Sequence, residues 1–527
     1  MKKIEKIFHH IGTKIFVNIL AIFNVFGYLI CDNLNYFLDK FTFSGMRYFA
    51  LALILATSIF NVVYLFLHTA KKEGKIGLRI AYYVSLGLSV VLFALVIFMM
   101  IMEHGNMLIT PCINLLPALL SVTAIMIIAY LVLLASKKLV VIALTVIMAC
   151  SVIFGAILPI DKTNSYLPEL SVIPFEFSAE PVVFDVGENY SVTWATNYPS
   201  CGSLCYTYEG KTYELFHSEN GRKVTDTGLH HVVVPKSHLN NNVYCVSSER
   251  VIRDTAYGPK FGKKVTYTQN LVTPTNNNLD ITILTDTHNV PESYYKSMLK
   301  LDKPDLLVML GDFVNYLSYE EDIIRYLLRP ISLITKGEVP TIFARGNHET
   351  RGAYAPYLAE KIGLESFYYQ TTYGNTRFTI VDSNEDKYDD HIEYGGTVDF
   401  FNEREKQLEW LAKIKPINGI KDIVICHSPT FFMDEQATRY NDILTNLGVK
   451  LCLCGHYHEI ILNTLEGQEI EDVTLPTFIG GGLIQNPTFI YNDFGYSTVK
   501  ITDSEINVVG YTNKKGEIMK GTYFLAK

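Results

Sequence analysis

The first 160 residues contain long stretches without a single Asp, Glu, Lys or Arg. Five such runs follow one another: Ile15–Cys31, Tyr48–Leu67, Ile80–Met102, Leu115–Ala135 and Leu139–Ile160. Each approaches or exceeds the ~20 apolar residues that cross a bilayer, and five uncharged runs in succession are hard to hide in a soluble core. The lack of charge inside them counts against an ion or proton path. A cleaved leader is excluded because further runs follow the first closely. Nor is there a dense, even cysteine framework. Of nine cysteines, Cys31, Cys112 and Cys150 lie in the apolar part, Cys201, Cys205 and Cys245 in the middle, and Cys426, Cys452 and Cys454 further on. This excludes a disulfide-stapled mini-domain and fixes no pairing. Basic excess is missing too: 45 Lys and Arg against 53 Asp and Glu give a net charge of −8, which argues against general nucleic-acid binding.

What is present is a chain of 527 residues, too long for one core. Its mean hydropathy of +0.18 averages an apolar front and a soluble remainder. Lys2, Lys3, Lys6 and Lys14 precede the first run; Lys71, Lys72, Lys75 and Arg79 follow the second; Lys137 and Lys138 follow the fourth. The alternate loops carry little, Lys40 and Arg47 in one and neither Lys nor Arg around Glu103 and His104 in the other. The positive charges predict a cytoplasmic amino terminus, and five spans then place everything after Ile160 outside the cytoplasm.

Three parts are expected: a five-span membrane region at 1–160, a small β-sandwich at 161–275 and an α/β domain at 276–527. In the middle part, short strand-like runs alternate with turns, and Tyr190, Val192 and Trp194 fall on one face. His230 and His231 are adjacent on a strand and point to opposite faces, so they do not share an ion; with His217 they read as surface or interface histidines.

From 276 onward, apolar strands alternate with helices, which predicts a sheet covered on both faces with its site beyond the strand ends. Polar clusters stand there: Asp286-Thr287-His288, Gly311-Asp312, Gly346-Asn347-His348-Glu349, His427 and Gly455-His456-Tyr457-His458. Two carboxylates, four imidazoles and one amide suit Zn, Mn or Fe better than Ca or Mg. Asp286, His288, Asp312, Asn347, His427, His456 and His458 exceed what one tetrahedral ion uses, and fit two ions bridged by Asp312. Cys452 and Cys454 alternate with Leu451 and Leu453 and read as core. Residues 384–400, with Glu385 among several acids, read as a lid or a solvated loop; Arg345 and Arg351 read as surface pairs or phosphate contacts; Gly480-Gly481-Gly482 reads as a close approach or a tight turn.

As a set, these clusters resemble the calcineurin-like metallophosphoesterase superfamily over about Asp280 to Tyr511. The resemblance implies a four-layer αββα sandwich and a two-metal phosphate-ester hydrolase. It implies one metal on Asp286, His288, Asp312 and His458, the other on Asp312, Asn347, His427 and His456, with His348 as acid or phosphate contact. The upstream stretch Tyr190-Ser191-Val192-Thr193-Trp194-Ala195-Thr196 is similar to the fibronectin-type domain of purple acid phosphatases. That subfamily has a tyrosine three residues after the second aspartate, where this chain has Asn315, so a purple ferric centre is not expected.

The expected function is a membrane-anchored, extracytoplasmic phosphoesterase. A hydroxide bridging two divalent ions about 3.5–4 Å apart attacks phosphorus, and the metals, Asn347 and His348 meet the developing charge. The substrate is a phosphate mono- or diester: a small molecule, nucleotide or lipid headgroup. Two rivals are a membrane sensor that keeps the fold without hydrolysis, which the full ligand set opposes, and a transporter, which the uncharged spans oppose.

Overall fold

The computed structural model describes residues 2–29, 46–69, 76–104, 173–253, 259–385, 387–429, 434–465, 473–485 and 491–525. Two compact units are present, Met1–Leu167 and Pro168–Lys527.

In the first unit, Lys2–Leu29, Met46–Thr69 and Ile76–His104 are helices that cover the first apolar run as far as Leu29 and the whole of the second and third. Tyr28, Ile54, Val96 and Met100 form one buried cluster; Val17, Tyr64 and Tyr82 form another. A polar seam joins all three helices: Asn24 Nδ2 donates to Ser89 O (2.9 Å) and Asn61 Nδ2 donates to Ser89 Oγ (2.8 Å). Buried side-chain amides bonded across helices fix how the three pack. Gly77–Ile101 is long and apolar enough to cross a membrane, while Ile15–Val25 and Phe49–Asn61 are shorter apolar helices. The expected fourth and fifth runs lie outside the described residues.

The second unit is built on two mixed sheets. In the ten-stranded sheet the order is Gly516–Phe524, Glu505–Thr512, Tyr491–Ile501, Leu279–Leu284, Leu306–Met309, Pro340–Phe343, Phe177–Val186, Asn189–Thr196, Leu229–Pro235, with Gly482–Gln485 pairing to Tyr491–Ile501. The six-stranded sheet runs Tyr369–Tyr373, Thr376–Ile380, Lys421–Ile425, Leu451–Cys454, Thr477–Gly480, Ile460–Asn463. Leu279–Leu284, Leu306–Met309 and Pro340–Phe343 are parallel neighbours. Their largely apolar sequence needs cover on both faces. One face meets the second sheet, packing Ile281, Ile283, Val308 and Ile342 with Phe378, Ile380, Ile425 and Leu453. Helices Phe400–Leu411 and Asp434–Leu447 lay Leu408, Leu411, Tyr440 and Leu444 over the six-stranded sheet, against Val424, Cys426, Cys452 and Cys454. The two cysteines read as core are buried there.

The middle strands share one buried cluster. Tyr190, Val192 and Trp194 pack with Leu204, Tyr206, Tyr244 and Val246 from a four-stranded sheet. One of its layers, however, continues the ten-stranded sheet, because Val183 and Phe184 pair in parallel with Pro340 and Thr341. Both faces of Asn189–Thr196 are therefore covered, and Ser191 and Thr193 are buried along with the apolar residues. Asp185, fully buried, clasps the junction by accepting from Lys236 Nζ (2.7 Å), Thr371 Oγ1 (2.7 Å) and Tyr373 Oη (2.6 Å). Cys205 stands opposite Cys245 across two strands, and Cys201, Cys205 and Cys245 are free thiols.

The same cover corrects the surface reading of the histidines. His217 and His230 are buried with their Nδ1 atoms 3.2 Å apart; His230 Nε2 meets Ser200 Oγ at 2.8 Å, and the His231 ring lies 4.5 Å from that of His217. Burial pushes His217 down to about 4 and His230 and His231 to about 3; mutual repulsion and Lys361 add to this, and Glu360 and Asp226 oppose it at His217. Depressed imidazoles stabilise the fold above their unfolded value of about 6.5 and lose that contribution as pH falls towards 4. Denaturant unfolding at pH 5 is thus expected to show stability lower than at pH 7.5 by on the order of a few kcal/mol. His231→Gln, which removes an imidazole whose Nδ1 has no partner, shrinks that difference. Equal losses in both proteins would refute the assignment.

Candidate metal centre

Every predicted ligand follows the last residue of a strand. Leu284 precedes Asp286 and His288, Met309 precedes Asp312, and Phe343 precedes Asn347 and His348. From the other sheet, Ile425 precedes His427, and Cys454 precedes His456 and His458. The parallel strands of the two packed sheets thus end at a common edge, and the structure brings all these residues together there.

The turns are strained. Asp286, His288, Asp312, His456 and His458 all have positive φ, between 40° and 71°. Such conformations cost about 1–3 kcal/mol each and persist where the surroundings over-determine them. Here they do: Asp286 N donates to Gly311 O (3.0 Å), His288 N to Asp312 O (2.9 Å) and Gly455 N to His427 O (2.8 Å). Gly311, at φ +83°, passes so close to Gly346 that a Cβ would sit 2.2 Å from its nitrogen. Gly482, at φ +108°, leaves no room for a Cβ beside Asp286 Cβ. The glycine run thus serves the ligands: Leu483 N donates to Asp286 O (3.1 Å), and Leu483 O lies 2.7 Å from His458 Nδ1.

Three groups of side chains place their ligand atoms within 4.8 Å of one another: Asp286, His288 and His458; His288, Asp312 and His348; Asp312, His427 and His456. Asp312 Oδ2 lies 3.2 Å from His427 Nε2, 3.5 Å from His288 Nε2 and 3.9 Å from His348 Nε2. His458 Nε2 lies 3.5 Å from Asp286 Oδ1. The outer nitrogens are anchored elsewhere. His427 Nδ1 meets Leu310 O (2.6 Å), and His348 Nδ1 meets Asn315 O (2.7 Å). His288 Nδ1 lies 3.2 Å from Asn315 Oδ1. A carbonyl at Nδ1 accepts a hydrogen bond from that nitrogen and leaves Nε2 aimed into the centre as the atom that would bind a metal. Asn315, the residue in place of a tyrosine, therefore orients two imidazoles.

These residues fit metal ions. Asp286 Oδ1 and His288 Nε2 are buried without a hydrogen-bond partner. The inward atom of the Asn347 amide sits 3.2 Å from His427 Nε2, 3.3 Å from His456 Nδ1 and 3.2 Å from Asp312 Oδ2. With oxygen inward it lies between the Asp312 carboxylate and two imidazoles, placed to share a cation with them; with nitrogen inward it donates to their acceptors instead. Without metal, burial opposes a charge on His427, but the Asp312 carboxylate outweighs it and lifts the imidazole to about 10. His288 is pushed down to about 4, chiefly by burial.

Sequence reasoning missed a supporting layer. Glu349 is fully buried and accepts four backbone N–H bonds, from Asp312 and Gly346 (2.8 Å each) on one oxygen and from Phe313 (2.8 Å) and Val314 (3.3 Å) on the other. Glu385, read as part of a lid or solvated loop, is buried, and Arg351 donates to it at 2.5 and 2.9 Å. Arg345 donates to buried Asp382 at 2.5 and 3.3 Å. Neither arginine makes the surface pair expected of it; each holds a carboxylate under the site. The signal available was adjacency, since Glu349 and the arginines stand within three residues of Asn347 or His348.

Residues 279–459 match the family described as Calcineurin-like phosphoesterase. A search of curated proteins finds no match. Among solved structures, the chain is similar to GAP50, the anchor in the inner membrane complex of Plasmodium, at 17 % identity over 48 % of this chain and 90 % of that one, TM-score 0.34. It is similar to zinc-complexed Vps29 of Entamoeba histolytica at 11 % identity over 47 % and 99 %, TM-score 0.25. A cold-active protein-tyrosine phosphatase of Shewanella shares 9 % identity over 67 % and 100 %, TM-score 0.23. Residues 279–459, with every predicted ligand inside them, are a calcineurin-like metallophosphoesterase domain.

Proposed function

We propose that this chain is a membrane-anchored hydrolase of phosphate mono- or diesters, working outside the cytoplasm at a centre of two divalent Mn, Zn or Fe ions. The observation that carries it is Asp312, whose carboxylate joins His288 and His348 in one group and His427 and His456 in another, with His288 shared with a third group of Asp286 and His458 and the Asn347 amide 3.2 Å from Asp312 Oδ2. Asp286, His288, Asp312 and His458 would hold one ion; Asp312, Asn347, His427 and His456 the other. Bound divalent ions supply Lewis acidity and a water acidic enough to attack at neutral pH. The chain does the rest. The Nδ1 anchors of His288, His427 and His458 aim their Nε2 atoms into the centre, where each would be offered to an ion as a ligand. His348, half-buried with Nδ1 held by Asn315 O, points Nε2 towards the centre, where it meets phosphoryl oxygen or protonates the leaving group. The αββα layering and a fibronectin-type module merged into the sheet belong to this reading.

The apolar helix Gly77–Ile101 and the lysine asymmetry support anchoring through several spans with the second unit outside. The test is metal content and hydrolysis of p-nitrophenyl phosphate and its bis ester by the full chain in detergent with Mn, Zn or Fe. Bound metal and turnover are expected. Neither metal nor turnover overturns the proposal, and metal without turnover of any ester points to the sensing role. Protease added to intact cells is expected to digest the second unit; protection there refutes the orientation.

A further inference from the structure

We propose that the site is built for phosphodiesters rather than phosphomonoesters, an inference that rests on the phosphoesterase reading above. The argument is one of charge. Two divalent ions bring roughly +4, of which Asp286 and Asp312 cancel two and an attacking hydroxide a third. About one positive charge remains, which matches a diester. A monoester above its second pKa of about 6 carries one more negative charge, and needs a further cation.

The candidates are Arg345 and Arg351, which flank Asn347 and His348. Arg351 approaches closely, with Nη2 3.1 Å from the outer atom of the Asn347 amide. Both forks are already filled. Arg351 is bidentate on Glu385, through Nε at 2.5 Å and Nη2 at 2.9 Å. Arg345 is bidentate on Asp382, and its Nη2 reaches Asn384 Oδ1 at 3.1 Å. The two carboxylates are 0 and 3 % exposed, so solvent does not loosen these pairs. A guanidinium clamped in this way has spent the geometry it would offer a phosphate. The internal segments of this unit outside the described residues do not supply the charge either. Residues 254–258, 386, 430–433, 466–472 and 486–490 contain no Lys or Arg, and 466–472 add Glu466, Glu469, Glu471 and Asp472.

The test uses the full chain loaded with Mn. The ratio of kcat/KM for bis(p-nitrophenyl) phosphate to that for p-nitrophenyl phosphate is expected to exceed about ten. Calorimetry at pH 8 gives a readout without turnover: methyl phenylphosphonate, with one charge, is expected to bind at least as tightly as phenylphosphonate, with two. Glu385→Gln frees Arg351 and is expected to improve phenylphosphonate binding and the relative monoester rate by about tenfold, the scale of one charge at close range in a partly screened site. Adding Arg351→Gln reverses the gain. If Glu385→Gln loses metal, Asp382→Asn makes the same test through Arg345. A wild-type preference for the monoester, or a charge preference that no freed arginine alters, overturns the proposal. Turnover of neither ester overturns the phosphoesterase reading instead.

Discussion

Asp312→Asn is expected to lower turnover of phosphate esters by at least about a thousandfold and to leave the protein with less than its full complement of metal. Asp312 is the carboxylate shared by two of the three ligand groups, with its Oδ2 within 3.9 Å of His288, His348 and His427 Nε2. The amide that replaces it keeps one oxygen but carries no charge, and it offers an N–H to neighbours that are acceptors. Electrostatic stabilisation of the reacting phosphoryl group by a bound cation is worth several kcal/mol, and each 1.36 kcal/mol is tenfold in rate. The backbone is spared, because His348 N donates to Asp312 Oδ1 (2.9 Å) and an amide oxygen accepts that bond equally. The loss should therefore appear in kcat and metal stoichiometry, while the metal-free protein also loses stability because buried His427 no longer faces a carboxylate. His427→Ala removes a ligand that is fully buried and is expected to act alike, at a higher cost in stability. Full activity in either variant would refute the assignment of the centre.

The ligands were legible because strand and site obey different sequence rules. Ile281 to Leu284 is apolar but for Thr282 and Leu451 to Cys454 is apolar throughout, so a charged residue or an imidazole soon after them is conspicuous. The strands also stop just short of the ligands, as Lys421–Ile425 ends two residues before His427. Glu385 was not legible. It stands among Asp386, Asp389, Asp390 and Glu393, a composition that reads as solvated, and its partner Arg351 is 34 residues away. The shared sheet was hidden for the same reason: Val183 pairs with Pro340, and nothing local announces a contact across that separation. Ser191 and Thr193 even point the wrong way, since alternation with apolar residues predicts an exposed face and the pairing buries it.

Glu349 is where a motif residue of unassigned role meets a measurable consequence. Glu349→Ala is expected to destabilise the metal-free second unit by on the order of 4 kcal/mol, because four buried N–H groups lose their acceptor and each costs about 1–3 kcal/mol, offset in part by water entering the space. Two of those donors, Asp312 N and Gly346 N, share one oxygen, so the carboxylate also staples the turn that holds Asp312 at positive φ. Glu349→Gln is expected to lie between: its amide oxygen still accepts two of the bonds, while its NH2 meets the N–H groups that faced the other oxygen. Denaturant unfolding in EDTA reads the stability, and metal titration of the same variants reads the pre-organisation, which should weaken in the same order by about 10–100-fold, the usual cost of disturbing the groups behind a ligand. Both measurements are needed, since a carboxylate that only filled space would destabilise without the graded loss of metal affinity. A Glu349→Ala chain as stable as the wild type, binding metal as tightly, would mean that the turn around Asp312 holds its shape by some other means.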